Sequence, residues 1–202
     1  MAQKLHIPIL AGNSYEISSL SFAISKDYGF RFNNLPQGNC RSSIDKLVRV
    51  LDHLNVRLPL KRITLSSETP ISTNYFPFIE LGLFISLYTL KHLDISNRLL
   101  SILLLGRVDL NGNILPLPYI DGWLLRAKQQ GIHKVILSSE NFKESFALRG
   151  IEIIVLDTVK ELVDYLKTGK HSPLSRKSLK VKLQKKLMSL VKMKLNELSS
   201  LP

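Results

Sequence analysis

Alternating and continuous apolar positions predict β-structure over about the first 32 residues of the chain. Residues 5–10, 15–24 and 29–32 combine short apolar runs with a two-residue period, and each segment predicts a strand. Pro8 lies inside the first segment, and proline cannot donate a backbone hydrogen bond. We therefore expect that strand to lie at a sheet edge or to contain a bulge.

The apolar period then lengthens to three and four residues, which is typical of helices. The first such stripe consists of Ile44, Leu47, Val48, Leu51 and Leu54. Ser42 and Ser43 precede it, and we expect one of their hydroxyls to cap the helix. A short strand over residues 63–65 follows, and then a helical region within residues 68–90. The apolar face of that second region is formed by Phe76, Ile79, Leu83 and Leu87.

A hairpin is predicted next. Residues 99–108 form an apolar run, and the chain returns through residues 114–116. Asn111 and Gly112 lie between them, and because both residue types tolerate a positive φ, they favour a two-residue turn.

The hairpin leads into a helix that begins near Asp121 and ends at Gly131. We expect Leu124, Leu125 and Ala127 to face inward, and Arg126, Lys128 and Gln129 to face solvent. A buried strand over residues 135–137 comes after it.

The last predicted elements alternate between helix and strand. A short helix over residues 142–148 precedes a strand over 151–156, and Asp157 or Thr158 is placed to cap a final helix. This order predicts an α+β fold, with a sheet covered by helices.

Residues 169–173 form a predicted linker, so we divide the chain into a domain over residues 1–170 and an extension over residues 171–202. Leucines in the extension recur at helical spacing, and lysines fall on the other side. The extension therefore predicts a basic amphipathic helix, which could dock on the domain, on a second copy, or on an anionic membrane surface.

Charge is distributed unevenly along the chain. The 202 residues carry 28 Lys+Arg and 16 Asp+Glu, and residues 171–202 hold eight of these basic residues and one acid. A block of like charge suggests a polyanionic partner, although a basic tail can also serve only solubility. The candidate nucleic-acid-binding residues are Arg176, Lys177, Lys180, Lys182, Lys185 and Lys186, with Lys61 and Arg62 on the domain in second rank. The aromatic residues fall at apolar core positions, so we expect little base readout.

Other chemistries find little support in the sequence. The single cysteine, Cys40, leaves no internal disulfide, and the five histidines show no metal-ligand spacing. Gly169-Lys170 lacks the rest of a P-loop. We expect no metal or cofactor, no stable membrane insertion, and a cytoplasmic protein, since no secretory signal or membrane-spanning run is present.

Two separated blocks of the sequence resemble one known family. The first block contains Gly29-Phe30, Leu35-Pro36 and Pro59-Leu60-Lys61-Arg62-Ile63-Thr64. The second contains Gly106-Arg107-Val108, Asn111-Gly112, Leu115-Pro116, Gln130-Gly131, Val135-Ile136-Leu137 and Asn141. In this order and spacing, residues 5–168 resemble the Lon-protease-like (ChlI-type) domain at the start of ComM/YifB magnesium-chelatase-like AAA+ proteins.

The resemblance implies a Lon protease C-terminal-domain-like sandwich of a sheet and helices. It also implies that the catalytic Ser-Lys pair of Lon proteases is replaced. The serine position falls on Thr73, with Ser72 one residue earlier, and the lysine position falls on Asp121. A carboxylate cannot act as the amine base of that pair, so we expect no peptidase activity. We also expect no AAA+ module.

Three interpretations remain from different classes. The favoured interpretation is a non-catalytic Lon-like protein that binds nucleic acid and acts in recombination or uptake of DNA. Of the nucleic acids, DNA is the favoured ligand. The second is a ring-forming adaptor that assembles with itself or with an AAA+ partner. The third is a Ser-Lys peptidase that uses Ser72.

Overall fold

A seven-stranded mixed sheet forms the centre of the computed structural model, which describes residues 3–12, 14–95, 99–142 and 150–170. The chain divides into two units, residues 1–169 and 170–202. The predicted short helix over residues 142–148 and the predicted helix of the extension lie outside the described residues.

The strands are β1 Gln3–Ala11, β2 Ser14–Ser25, β3 Gly29–Asn33, β4 Arg62–Ser67, β5 Ile102–Leu105, β6 Arg107–Val108, β7 Ile114–Leu115, β8 Lys134–Leu137 and β9 Glu152–Val155. Their order in the large sheet is β3-β4-β2-β1-β5-β8-β9, and β6 and β7 form a separate hairpin. Strand β2 is antiparallel to both of its neighbours, whereas β1, β5, β8 and β9 are mutually parallel.

The α-helices of the described part are α1 Gln37–His53, α2 Glu80–Thr89, α3 Ile120–Gln129 and α4 Val159–Thr168. Two 3₁₀ segments, Thr73–Ile79 and Leu93–Ile95, flank α2. The predicted α+β class is therefore confirmed.

Helix α2 is buried along its whole length because it lies between the sheet and the other helices. Gly82 makes this close packing sterically feasible. A Cβ atom added there would lie 2.5 Å from the Ile7 side chain and 3.2 Å from that of Leu5. The core face of the N-terminal strands consequently contains Leu5, Ile7 and Leu20, which are all buried.

Sequence periodicity located most of the strands and the ends of the last two helices. Each of the three predicted N-terminal strands is present, extended by one to three residues. Gly131 follows α3 with φ of 71°, and the Thr158 hydroxyl accepts a hydrogen bond from the Glu161 amide at the start of α4.

The predicted cap of α1 is wrong. The helix begins at Gln37 after Pro36, so Ser42 and Ser43 lie within it. Ser43 is buried and donates a hydrogen bond to Glu80 Oε1 at 2.9 Å. A partner distant in sequence therefore explains this serine, and local periodicity could not reveal it.

Pro8 does not mark a sheet edge, because β1 lies between β2 and β5. Its pairing with β2 covers the whole strand, whereas its pairing with β5 is found at His6 and Leu103. Proline is tolerated at an interior position because the second ladder is so short.

The hairpin turn and one helix position also differ from expectation. Three residues rather than two separate Asp109 from Asn113, whose backbone groups close the loop at 3.1 Å, and Gly112 has φ of 77°. The Asp109 carboxylate accepts hydrogen bonds from the amides of Asn111 and Asn113, which stabilises the wider loop. In α3, Leu125 is 58% exposed, whereas Trp123 is buried in the position that faces the sheet.

Candidate nucleic-acid interface

The segments that carry Thr73 and Asp121 lie against each other. The Trp123 ring in α3 contacts the Phe78 ring of the 3₁₀ segment edge-on, with centroids 5.4 Å apart, and contacts Tyr15 at 5.3 Å. Its indole N–H donates a hydrogen bond to the Ile9 carbonyl. This aromatic cluster brings together the segment that begins at Thr73 and the helix that carries Asp121.

The side chains presented there do not form a Ser-Lys pair. Ser72 precedes the 3₁₀ segment, and Ser72, Thr73 and Asp121 are all exposed. Lys128 lies in the last turn of α3 and is also exposed, about 10 Å along the helix from Asp121. An amine that acts as a base toward a hydroxyl is normally desolvated, and Lys128 is not.

A buried carboxylate, which the sequence did not reveal, ties three elements together. Glu80 is 6% exposed at the start of α2. It accepts hydrogen bonds from the Ser43 hydroxyl, from Lys46 Nζ at 2.6 Å and from the Val108 amide at 3.3 Å. All of its partners come from α1 and β6, so its role is structural.

Cys40 offers no reactive thiol, because burial raises its pKa to about 12. Within the described ranges, no three His, Cys, Asp or Glu side chains are grouped so that they could hold a metal ion. None of the helices in those ranges is long and apolar enough to cross a membrane.

One face of the N-terminal half of the sheet is polar, and we call it the open face. Directly paired residues point to the same side, so the face can be read from the register of β1, β2, β3 and β4. It includes Lys4, His6, Ser19, Ser21, Ala23, Ser25, Arg31, Asn33, Arg62, Thr64 and Ser66. The pairing of β2 with β4 continues to Glu68, whose amide donates a hydrogen bond to the Ser19 carbonyl at 2.9 Å, so Glu68 lies on the same side.

Exposure supports this description of the face. Lys4, Arg31 and Asn33 are exposed, and Ser21 and Thr64 are partly exposed, whereas the alternate residues of these strands are largely buried. Helix α3 lies beyond one end of the face, where a Cβ on Gly122 would touch the ring of Tyr15.

Hydroxyl and amide groups on the open face are held in place by neighbouring strands. Asn33 Nδ2 donates to Ser66 Oγ at 3.0 Å, and Ser21 Oγ donates to the Ser66 carbonyl at 3.3 Å. Glu68 is exposed and supplies an acid opposite Ser19. The face therefore presents hydrogen-bonding groups together with charges of both signs.

The two second-rank candidates lie at the end of the open face where β4 begins. Arg62 pairs with Asp27 at 2.8 Å, which offsets part of its charge, and Lys61 is exposed. Tyr28 is 76% exposed and directly precedes Gly29, the residue that pairs with Arg62. The expectation that aromatic residues lie in the core is wrong for Tyr28.

The six first-rank candidates, Arg176, Lys177, Lys180, Lys182, Lys185 and Lys186, lie outside the described residues. Lys4 and Arg31 were not singled out from the sequence. The signal for Arg31 was the alternation of residues 29–33, in which Phe30 and Phe32 occupy one face and Arg31 the other. Comparison with protein-family models finds no match for this chain, and comparison with curated proteins finds none either.

Proposed function

We propose that this protein is a non-catalytic, Lon-like protein that binds DNA without sequence specificity, chiefly through residues 171–202. The observation that carries the proposal is the charge of that segment, where eight basic residues accompany one acid. Cations that neutralise phosphates release counterions, and this gain does not depend on base sequence. A cytoplasmic location follows from the same proposal.

The Lon-like part of the proposal rests on the resemblance and is supported by the order of elements. Strand β4 leads to the segment with Ser72 and Thr73, and the hairpin leads to the helix with Asp121. The contact between Phe78 and Trp123 joins these two elements. Threonine and aspartate at the two positions support a protein that uses the scaffold without its peptidase chemistry.

Neutralising three lysines of the extension tests the proposal. Lys182→Gln, Lys185→Gln and Lys186→Gln together should weaken binding to duplex DNA and reduce the salt slope, d log K/d log[salt], by up to about 2.7, if each lysine contacts one phosphate. The matched control neutralises the exposed Lys91, Lys128 and Lys160 on the domain. It removes the same net charge and should change the salt slope by less than half as much.

Fluorescence anisotropy at several salt concentrations measures both slopes. Equal slopes for the two triple variants would mean that only net charge matters, and would refute a dedicated role for the extension. A wild-type chain that fails to bind DNA at low salt would refute the proposal as a whole.

An adaptor function is the second candidate, because one edge of the sheet exposes apolar side chains. Ile24, Phe30 and Leu60 are 44%, 38% and 86% exposed near the edge strand β3. Exposed apolar side chains beside an edge strand favour assembly with another chain. Light scattering measures the molar mass of the wild type and of Leu60→Glu. The adaptor function predicts a discrete oligomer for the wild type and its dissociation by Leu60→Glu.

A further inference from the structure

We infer that the outer edge of β3 binds an extended segment of another protein as an added strand, and that this segment carries an acidic residue between two apolar ones. This inference deepens the adaptor function, the second candidate above, because it names the chemistry of the partner. It does not depend on DNA binding, which needs only the extension.

Strand β3 has an unpaired outer edge in the described part of the sheet. It pairs with β4 on one side, and no described strand pairs with it on the other. Four of its five residues are exposed and the fifth is partly exposed. Among the described residues, none outside β4 has a hydrogen bond with the backbone of Gly29–Asn33. An edge of this kind accepts a further strand through main-chain hydrogen bonds, which is the mode of β-augmentation.

The side chains of β3 present different chemistry on the two faces of the sheet. Phe30 and Phe32 pair with buried residues of β4 and lie on the same side as those residues. Their rings are parallel to within 3°, with centroids 6.2 Å apart, and Phe30 is 38% exposed. Arg31 lies between them on the opposite face and is exposed. A neighbouring strand would therefore meet aromatic rings on one face and a guanidinium on the other.

Charge complementarity selects the central residue of the partner. Arg31 has no ion pair among the described residues, and neither β3 nor β4 contains an acid. Asp27 pairs with Arg62 at 2.8 Å. Glu68 lies four residues beyond Thr64, the residue paired with Arg31, which is roughly 13 Å along the strand. An acid in the added strand, directly opposite Arg31, would supply the missing charge, and such cross-strand pairs are stabilising.

A second copy of the chain fits this edge less well. A symmetric antiparallel pair that uses all five residues of β3 places the two Arg31 side chains opposite each other, which is destabilising. Registers that avoid this repulsion pair only three residues of each copy. A segment that reads apolar, acidic, apolar matches both faces of β3 over its full length. Because this pattern is the same in both directions, it fits a parallel or an antiparallel strand.

Peptide binding to the full-length protein tests the inference. The probe, called the Glu peptide, is a fluorescein-labelled peptide with the core Ser-Val-Glu-Val-Ser. Its controls are a Lys peptide with the core Ser-Val-Lys-Val-Ser and a scrambled peptide with the core Val-Val-Ser-Ser-Glu, which keeps the charge of the probe. Anisotropy is measured at about 150 mM salt, where a Debye length of about 8 Å screens attraction to distant charges.

A charge exchange at Arg31 gives the sharpest result. The wild type should bind the Glu peptide about tenfold more tightly than the Lys peptide or the scrambled peptide. Arg31→Glu should reverse this preference, so that the Lys peptide binds better than the Glu peptide. The matched control, Lys160→Glu, reverses an exposed charge on α4 and should keep the wild-type preference.

Two further measurements test the apolar face and the main-chain pairing. Phe30→Ser should weaken binding of the Glu peptide about fivefold, whereas Leu125→Ser, at a residue that is 58% exposed on α3, should not. Methylation of the peptide nitrogen of Glu, or of both Val residues, removes the amide donors from one or the other edge of the added strand. One of these two methylated peptides should lose binding, because main-chain hydrogen bonds supply the affinity in this mode.

Three results would overturn the inference. In the first, Arg31→Glu keeps the same preference for the Glu peptide as Lys160→Glu, which would place the peptide away from β3. In the second, neither methylated peptide loses affinity, so that no strand is added. In the third, no peptide binds, and a dimer in light scattering would then make a second copy the occupant. A monomeric wild type that binds the Glu peptide would instead refute self-assembly and support the inference.

Discussion

The two halves of the seven-stranded sheet differ in what covers them. In the parallel half, all four residues of β5 and the last three of β8 are buried, so both faces of these strands are covered. In the mixed half, β2 alternates between buried residues such as Leu20 and partly exposed ones such as Ser21. The central strands of the parallel half are thus enclosed, whereas one face of the mixed half is partly exposed.

The β6–β7 hairpin is fixed to the chain beyond β9. Ile114 N donates a hydrogen bond to Asp157 O, and Val159 N donates one to Gly112 O. These bonds join the hairpin to the start of α4, at the carboxyl end of the parallel strands.

We expect the largest change in stability at Glu80, the buried carboxylate at the start of α2. Glu80→Ala should lower the free energy of unfolding by about 3 kcal/mol, because it leaves the buried Ser43 hydroxyl and the partly buried Lys46 amine without their partner. The control is Glu152→Ala, which breaks an exposed pair with Lys134 and should cost less than about 1 kcal/mol. Urea denaturation measures both values, and equal costs would contradict a structural role for Glu80.

Substitution of one side chain in each half of the sheet compares the stability that the two halves contribute. Leu104→Ala in β5 should cost about 3 kcal/mol, since this side chain is fully buried. Thr64→Ala on the open face should stay within about 0.5 kcal/mol of the wild type. A comparable loss at Thr64 would mean that this face is packed against something, and the distinction between the halves would fail.

We expect a smaller change in stability from a substitution where α3 contacts the end of the open face. A Cβ on Gly122 would lie 2.4 Å from the Tyr15 ring, so Gly122→Ala should destabilise the protein by about 1–3 kcal/mol. Gly38 in α1 has no atom within 4 Å of its Cβ position, and Gly38→Ala should be neutral or stabilise by about 0.5–1 kcal/mol. Thermal unfolding of both variants checks the sign, and a loss of stability at Gly38 would undermine the comparison.

Local patterns in the sequence predicted the strands well because apolar periodicity is a local property. Alternation over residues 29–33 placed Phe30 and Arg31 on opposite faces before any fold was known. Which of those faces a helix covers depends on the order β3-β4-β2-β1 and on the position of α2. Those are long-range facts, and for that reason the open face was not predicted.

The same limit explains the errors within elements. Glu80 belongs to an apolar run, and its partners Ser43 and Val108 are 37 and 28 residues away in sequence. Leu125 fits the helical stripe, but the buried face of α3 is the one that carries Trp123, and Leu125 is left exposed on another face. Side chains whose partners are distant in sequence were those most often misassigned.

Photo-crosslinking of the full-length protein to single-stranded DNA tests the central claim most directly. Oligothymidylate that contains 4-thiothymidine would be irradiated with the protein, and the attached peptides would be identified by mass spectrometry. The account predicts crosslinks in residues 171–202. Crosslinks confined to α4 and β9, or none at all, would contradict it.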